Sequence, residues 1–412
     1  MDLEIVAIGN ELLLGFTIDT NGAELGQALG AIGVRVTRRT TVGDEPAAIR
    51  GAVAEALSRT GAVLTTGGLG PTRDDVSKKV VAELYGWPFR FHDEIWQRLV
   101  ERFRRMGREP APANRGQAEV PEGASVLNNR WGTAPGLWLE GSPGLVIMLP
   151  GVPHEMRNLL AHEVVPRLAE RAGGAVVASK ELRTSSIPES TLAGRLEAFE
   201  DALAPLSLAY LPGVHGVDLR LTAWNLPRSE AEGLLADAAQ RLRSAIGDVV
   251  YGEDGADLAS VLVDALREQR HTVSLGESCT GGLVGARITA VPGSSAVFQG
   301  GVVCYSNAAK TALLGVASGL IESTGAVSPE VALALARGAR DRFGTTASIG
   351  VTGIAGPDGG SVEKPVGTVC FAWLLGEREE QSRYVFPGGR EEVRERAAQF
   401  ALHRLFRMAG AA

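Results

Sequence analysis

Glu277-Ser278-Cys279-Thr280-Gly281-Gly282 follows an apolar run over 272–276 and precedes an amphipathic run over 283–290. That order reads as a buried strand, a tight turn and a helix. A Ser on such a turn, followed by two Gly, presents its hydroxyl at the carboxyl edge of a sheet. The N–H groups of the incoming helix then aim at whatever the hydroxyl attacks. Around this turn, helices over 256–269, 307–314, 329–343 and 390–408 are expected to alternate with strands over 273–276, 297–305, 347–352 and 367–374. Ser328-Pro329-Glu330 is a helix start, with Ser as the cap, Pro at the first position and an acid in the first turn.

Working outward, residues 1–172 show a second such alternation. Strands are expected over 3–8, 34–40, 62–66 and 145–149, and helices over 21–31, 46–58, 76–85, 92–105 and 154–169. Gly173-Gly174 opens a different pattern: strand 179–184, helix 189–203, strands 206–211 and 217–224, helix 228–246 and strand 249–251. The expected fold is therefore two α/β domains with largely parallel sheets, 1–172 and 253–412, joined by a small α+β, split βαβ module over 173–252. Gly213-Val214-His215-Gly216 has the letters of a GxxG nucleic-acid loop, but it lies between two strands without a flanking basic residue, so it reads as a β-turn.

Bulk properties agree. A chain of 412 residues accommodates about two or three domains. The apolar runs, such as 145–149, are far too short to cross a bilayer, and the amino end lacks a basic, apolar leader pattern, so the cytoplasm and no membrane are expected. Three Cys without CxxC spacing fit reduced thiols. A net charge of −7 argues against broad nucleic-acid binding. The five Arg between Arg98 and Arg108 sit beside Glu101 and Glu109 on a helical run and read as a solvated face. Only five of the 41 basic residues are Lys, which makes a Lys inside a motif informative.

Amide hydrolysis needs a nucleophile, a base and an oxyanion stabiliser. Ser278 is the candidate nucleophile. His271 lies seven residues back along a strand, roughly 20 Å away at about 3.3 Å per residue, too far to serve as its base. Lys310 is the better base, because a Lys shielded from water has a lowered pKa. Tyr305 is placed to relay the Ser proton, Thr352 and Gly353 to line the pocket, and the N–H groups of Cys279 and Thr280 to hold the oxyanion. Each residue also has a plainer reading: Ser278 and Thr280 as helix caps, Tyr305 as a sheet-edge residue.

The motifs around these residues, Gly300-Gly301 through Tyr305 to Lys310, Thr352-Gly353-Ile354-Ala355-Gly356-Pro357 and Lys364-Pro365-Val366-Gly367-Thr368, closely resemble the CinA carboxy-terminal family. That family contains nicotinamide mononucleotide (NMN) deamidases. The resemblance implies hydrolysis of the NMN carboxamide through an acyl-enzyme on Ser278, with no cofactor. It also implies that Arg390 contacts the substrate phosphate.

In the first domain, Thr65-Thr66-Gly67-Gly68-Leu69-Gly70-Pro71-Thr72-Arg73-Asp74-Asp75 leaves one strand and opens a helix. Gly67, Gly68 and Gly70 let backbone N–H groups approach phosphate oxygens. It is neither a Walker A loop nor a full GxGxxG. Asp74 and Asp75, with Asp44 after another strand, point to a divalent cation on a phosphate, although either of the paired acids could cap the helix. With Gly9-Asn10-Glu11-Leu12-Leu13-Leu14-Gly15 and Pro150-Gly151-Val152-Pro153, the stretch resembles the molybdopterin-binding fold of MogA and gephyrin. The segments around Asn114, Gln117 and Gly132-Thr133-Ala134-Pro135-Gly136 bring it closer to the CinA amino-terminal domain. That resemblance implies an ADP-ribose pyrophosphatase dependent on Mg, Mn or Co, a KH-like middle module, and a homodimer acting on small nucleotides rather than nucleic acid. Two other readings remain at this stage: a pterin or molybdenum-cofactor enzyme, and a non-enzymatic competence or damage-response adaptor.

Overall fold

A computed structural model describes residues 1–247 and 249–410. The chain divides into two compact units, Met1–Ala178 with Ala223–Glu232, and Ser179–Thr222 with Gly233–Ala412. None of the helices among the described residues is long and apolar enough to cross a membrane.

The amino-terminal sheet has six strands in the order Arg35–Val42, Asp2–Ile8, Ala62–Thr66, Gly144–Leu149, Gly136–Gly141, Ser125–Leu127. The first four strands pair in parallel and the last two turn back antiparallel. Buried Ala62–Thr66 lies inside the sheet, which explains its continuous apolar character. Helices cover both faces, over Val6, Ile49, Val53 and Val80 on one side and Leu3, Leu25, Leu29 and Met156 on the other.

The helix expected over 154–169 is not continuous. It runs as Pro153–Leu159, a π turn over Leu160–Val164, then Val165–Ala169. Pro166 has no N–H to continue the ladder, and the wider turn absorbs the defect. Strands Ser125–Leu127 and Gly136–Gly141 were not expected from the sequence, because the first has only three residues and the second begins and ends in glycine.

In the middle region the sheet order is Ser207–Pro212, Val217–Pro227, Ala175–Thr184, Val250–Glu253. The Gly213–Gly216 segment closes an antiparallel hairpin, Gly213 N–H donating to Gly216 O at 2.8 Å, so it is the β-turn that its neighbours suggested.

The carboxy-terminal sheet is ordered Phe298–Val303, Val273–Glu277, Ala347–Gly353, Thr368–Leu375, Arg378–Val385. Its first three strands are parallel and its last two antiparallel. The edge strand Arg378–Val385 escaped the sequence reading because it is mostly charged and exposed. Helix Pro329–Phe343 begins as expected, Ser328 Oγ accepting from Val331 N–H at 3.2 Å. This helix lies so close to the central strand that a Cβ on Gly350 would sit 2.0 Å from Ala332 O. The packing locks the strand whose end, Val351 to Gly353, adjoins the Ser278 turn.

Candidate active sites

Strand Val273–Glu277 runs in register with Ala347–Gly353, and the pairing continues one residue further: Ser278 N–H donates to Val351 O at 2.9 Å. The chain then turns through Gly281 and Gly282, at φ +62° and +91°, a conformation that a side chain disfavours. The turn leaves Ser278 buried at the sheet's carboxyl edge.

Lys310, on helix Asn307–Leu314, places Nζ 3.1 Å from Ser278 Oγ. The same nitrogen is 3.2 Å from Cys304 O and 3.3 Å from Tyr305 O. Lys310 is only 2% exposed and has no carboxylate among these partners. Burial pushes its ammonium below the ordinary Lys value. The expected base and nucleophile are thus in direct contact.

Tyr305 differs from expectation. Its side chain is largely exposed and its hydroxyl accepts from Arg390 Nη2 at 2.7 Å. A relay has no gap to bridge when Lys310 already reaches Ser278. Arg390 also donates to Gly356 O at 2.7 Å, which ties the Thr352–Pro357 segment to the last helix. Thr352 contributes structure, its hydroxyl donating to Ala326 O at 2.8 Å. Gly353 is required for closeness: a Cβ there would lie 3.0 Å from Cys279 Sγ.

Two residues that the sequence reading did not single out shape the turn. The buried Glu277 carboxylate accepts N–H groups from Gly282 at 3.0 Å, Val284 at 3.2 Å and Gly285 at 2.9 Å. Glu277 therefore caps helix Leu283–Thr289, the role considered for Ser278 and Thr280, and an acid ending the strand ahead of a glycine turn into a helix was the available signal. Among the described residues the Cys279 and Thr280 N–H groups donate to no oxygen; both lie against the buried Cys279 thiol. Arg394, one helical turn after Arg390, donates to Thr280 O at 3.0 Å and holds the turn from outside.

In the amino-terminal unit, one cavity of about 490 Å³ gathers the expected motifs: Gly67, Gly68, Gly70, Asp44, Asp74 and Asp75 all line it. Gly67 and Gly68 adopt φ +105° and +69°. A Cβ on Gly67 would be 2.2 Å from Ile8 O, and one on Gly68 1.9 Å from Ser77 Oγ. The loop is therefore drawn tightly onto the sheet edge. Asn21, also lining the cavity, bridges Gly151 O at 2.8 Å and Thr66 Oγ1 at 3.2 Å, while its own buried Oδ1 has no partner among the described residues.

The three acids are not equivalent. Asp75 accepts from Thr72 N–H at 2.8 Å and from the Thr72 hydroxyl, so it closes the loop. Asp44 accepts from Asn10 N–H at 3.1 Å. Burial holds the Asp44 carboxyl above its ordinary value, and Glu11, Asp74 and Glu45 add repulsion in the same direction. Asp74 is exposed and its pKa is lowered, first by Thr72. Among the described residues no three His, Cys, Asp or Glu side chains converge on one metal position. The donor set instead suits an ion that takes one or two carboxylates and completes its shell with phosphate and water, as Mg²⁺ does. Lys78, on the helix after the loop, donates to Gly116 O and Glu119 O, each at 2.6 Å, and so fastens the turn carrying Asn114 and Gln117.

Three family models match the chain: "CinA C-terminal domain" over 255–409, "Probable molybdopterin binding domain" over 4–170 and "Damage-inducible protein CinA KH domain" over 179–252. A CinA-like protein of Gemmatimonas aurantiaca is 51% identical over 99% of this chain and 96% of its own length. A CinA-like protein of Desulfovibrio desulfuricans is 43% identical over 100% of this chain and 97% of its own. A crystal structure of CinA from Thermoplasma acidophilum aligns with 39% of this chain and 94% of that one, at 34% identity and a TM-score of 0.36.

Proposed function

The chain belongs to the CinA family, and we propose that it is a bifunctional pyridine-nucleotide salvage hydrolase. Its carboxy-terminal site would deamidate NMN to nicotinate mononucleotide and ammonia. Its amino-terminal site would cleave ADP-ribose to AMP and ribose 5-phosphate. The same reading has functional boundaries at 172/173 and 252/253, and a cytoplasmic homodimer.

The observation that carries the deamidase reading is the buried contact of 3.1 Å between Lys310 Nζ and Ser278 Oγ. A neutral amine has two N–H groups and one lone pair. With the two N–H groups given to Cys304 O and Tyr305 O, the lone pair is left to face Ser278 Oγ. Lys310 takes the hydroxyl proton as Ser278 Oγ attacks the carboxamide carbon. The N–H groups of Cys279 and Thr280 receive the developing oxyanion. The proton then passes to the amide nitrogen, which leaves as ammonia; water, deprotonated by the same Lys310, hydrolyses the ester, and that proton returns to Ser278 Oγ. Arg390, fixed by Gly356 O and the Tyr305 hydroxyl, is the candidate for the nucleotide phosphate.

For the pyrophosphatase reading, support comes from the glycine loop and acids that share one cavity. Asp44 and Asp74 would hold the divalent ion, which when bound would offset phosphate charge. The loop N–H groups orient the phosphates, and Asp75 keeps the loop closed. The test is to incubate the purified chain with NMN alone, and with ADP-ribose plus Mg²⁺, Mn²⁺ or Co²⁺, measuring ammonia and AMP. Ammonia without added metal and AMP only with it is the expected result; absence of either product removes that half of the proposal.

A further inference from the structure

The five-Arg run that reads as a solvated face in the sequence is divided by the fold. Arg98, Arg102 and Arg105 follow an i, i+4, i+7 spacing on helix Asp93–Arg105 and so share one side of it. Arg104 instead pairs with Glu109 at 3.4 Å. The three Arg line a cleft of about 330 Å³ with Arg130 from the opposing loop, over a floor of Ile95 and Leu99. Among the described residues the only acid lining the cleft is Glu101, so four guanidinium groups face one carboxylate. This occurs in a chain whose net charge is −7.

The cleft is a built feature. Arg102 donates to Trp131 O at 2.6 Å and to Arg130 O at 3.3 Å, and Arg98 donates to Asn128 Oδ1 at 2.6 Å. Asn129 Oδ1 accepts from Trp131 and Gly132 N–H groups at 3.0 and 2.8 Å. The loop is thereby held against the helix. Two of the Arg orient the wall, and the other two have no comparable tie. Arg105 reaches only Glu101, at 4.0 Å, and the Arg130 side chain makes no ion pair among the described residues. The Arg105 side chain is 83% exposed, so its guanidinium is open to an anion arriving from solvent. Thr133 lines both this cleft and the acid-bearing cavity, so the two are neighbours.

We infer that the Arg98–Arg102–Arg105–Arg130 cleft is a phosphate-binding subsite that takes a phosphate dianion, free or esterified to a sugar. Planar guanidinium groups match phosphate oxygens in bidentate fashion, and the apolar floor suits the carbon skeleton of an ester. The cleft needs no metal and does not depend on hydrolysis in the neighbouring cavity.

The test is direct binding to the full chain in EDTA by calorimetry, with inorganic phosphate and ribose 5-phosphate as separate probes. Wild type is expected to bind at least one probe saturably, more weakly as salt rises. Inorganic phosphate alone would identify a free-ion site, and tighter binding of ribose 5-phosphate would identify an ester site. The double variant Arg105→Gln, Arg130→Gln removes two charges without cutting a tie of the loop, and is expected to weaken that binding at least tenfold at an unchanged thermal midpoint. Glu101→Gln is expected to tighten it. Failure of wild type to bind either probe, or equal binding by wild type and the double variant, would overturn the inference. Because the readout is binding, a chain that does not cleave ADP-ribose still decides it.

Discussion

The Ser278 turn and the glycine-loop cavity occupy comparable places, each at the carboxyl ends of parallel strands, yet they are finished to different degrees. At the first, protein groups alone bring nucleophile and base to 3.1 Å in a buried setting. At the second, carboxylates share a cavity of about 490 Å³ without converging on one point. Lys310 is desolvated, so its neutral form is favoured before any substrate arrives. Burial also raises the Asp44 carboxyl, and Glu11, Asp74 and Glu45 add repulsion that a cation would relieve. One site is complete in its own side chains, and the other keeps negative charge that an ion would balance.

The sharpest way to break this contrast is Ser278→Ala. On the proposed mechanism NMN deamidation falls by on the order of 10⁴-fold or more, because the covalent route is lost. AMP formation from ADP-ribose stays at the wild-type rate. Ammonia release at more than a few per cent of wild type would remove Ser278 as nucleophile.

Lys310→Arg comes next. Arginine keeps the charge but does not deprotonate, so turnover is expected to drop by about 10²- to 10⁴-fold. The wild-type pH profile tests the same point. Lys310 must be neutral to act, and its pKa is lowered by burial, so the rate falls as pH drops through that lowered value and levels off above it. A profile that first rises near the ordinary Lys value, or an active Arg variant, would contradict the dry-site reading.

How much of this contrast was legible in the sequence depends on range. Ser278 and Lys310 were legible because each sits in a local strand-to-helix motif, and Lys is rare in the chain. The helix start at Ser328-Pro329 was legible for the same reason. Charged strand Arg378–Val385 was not, since its pairing with Thr368–Leu375 comes from the sheet rather than from its own pattern. Glu277 and Asp75 were obscured by sharing their motifs with better-known candidates: the geometry assigns the capping to Glu277 and the loop closure to Asp75. The contact of the Tyr305 hydroxyl was not legible, because its partner, Arg390, is 85 residues away.

On the amino-terminal side, chelation and charge removal should act alike. EDTA is expected to abolish AMP formation and leave NMN deamidation intact. Asp44→Asn with Asp74→Asn should weaken metal affinity by about 10- to 100-fold, measured as the metal concentration for half-maximal AMP release. Asp75→Asn should act mainly through the Thr72 turn, lowering turnover at saturating metal. Unchanged metal dependence in the Asp44, Asp74 double variant would leave the loop as a phosphate cradle alone and erase the proposed difference between the sites.

Tyr305→Phe carries the smallest expected effect and separates two roles for one hydroxyl. A proton relay would act in the chemical step, so its loss would lower kcat by about 10²-fold or more with little change in KM. The observed geometry gives the hydroxyl to Arg390 Nη2 at 2.7 Å, and Arg390 keeps its second tie to Gly356 O. Losing the hydroxyl therefore loosens one of the two contacts that aim the guanidinium at a substrate phosphate. The expected outcome is a KM for NMN raised about tenfold or less, with kcat close to wild type. The nucleoside, which lacks the phosphate, should show no such difference between the wild-type enzyme and the Tyr305→Phe variant. A large fall in kcat for both substrates would restore the relay and mean that Lys310 does not take the Ser278 proton alone.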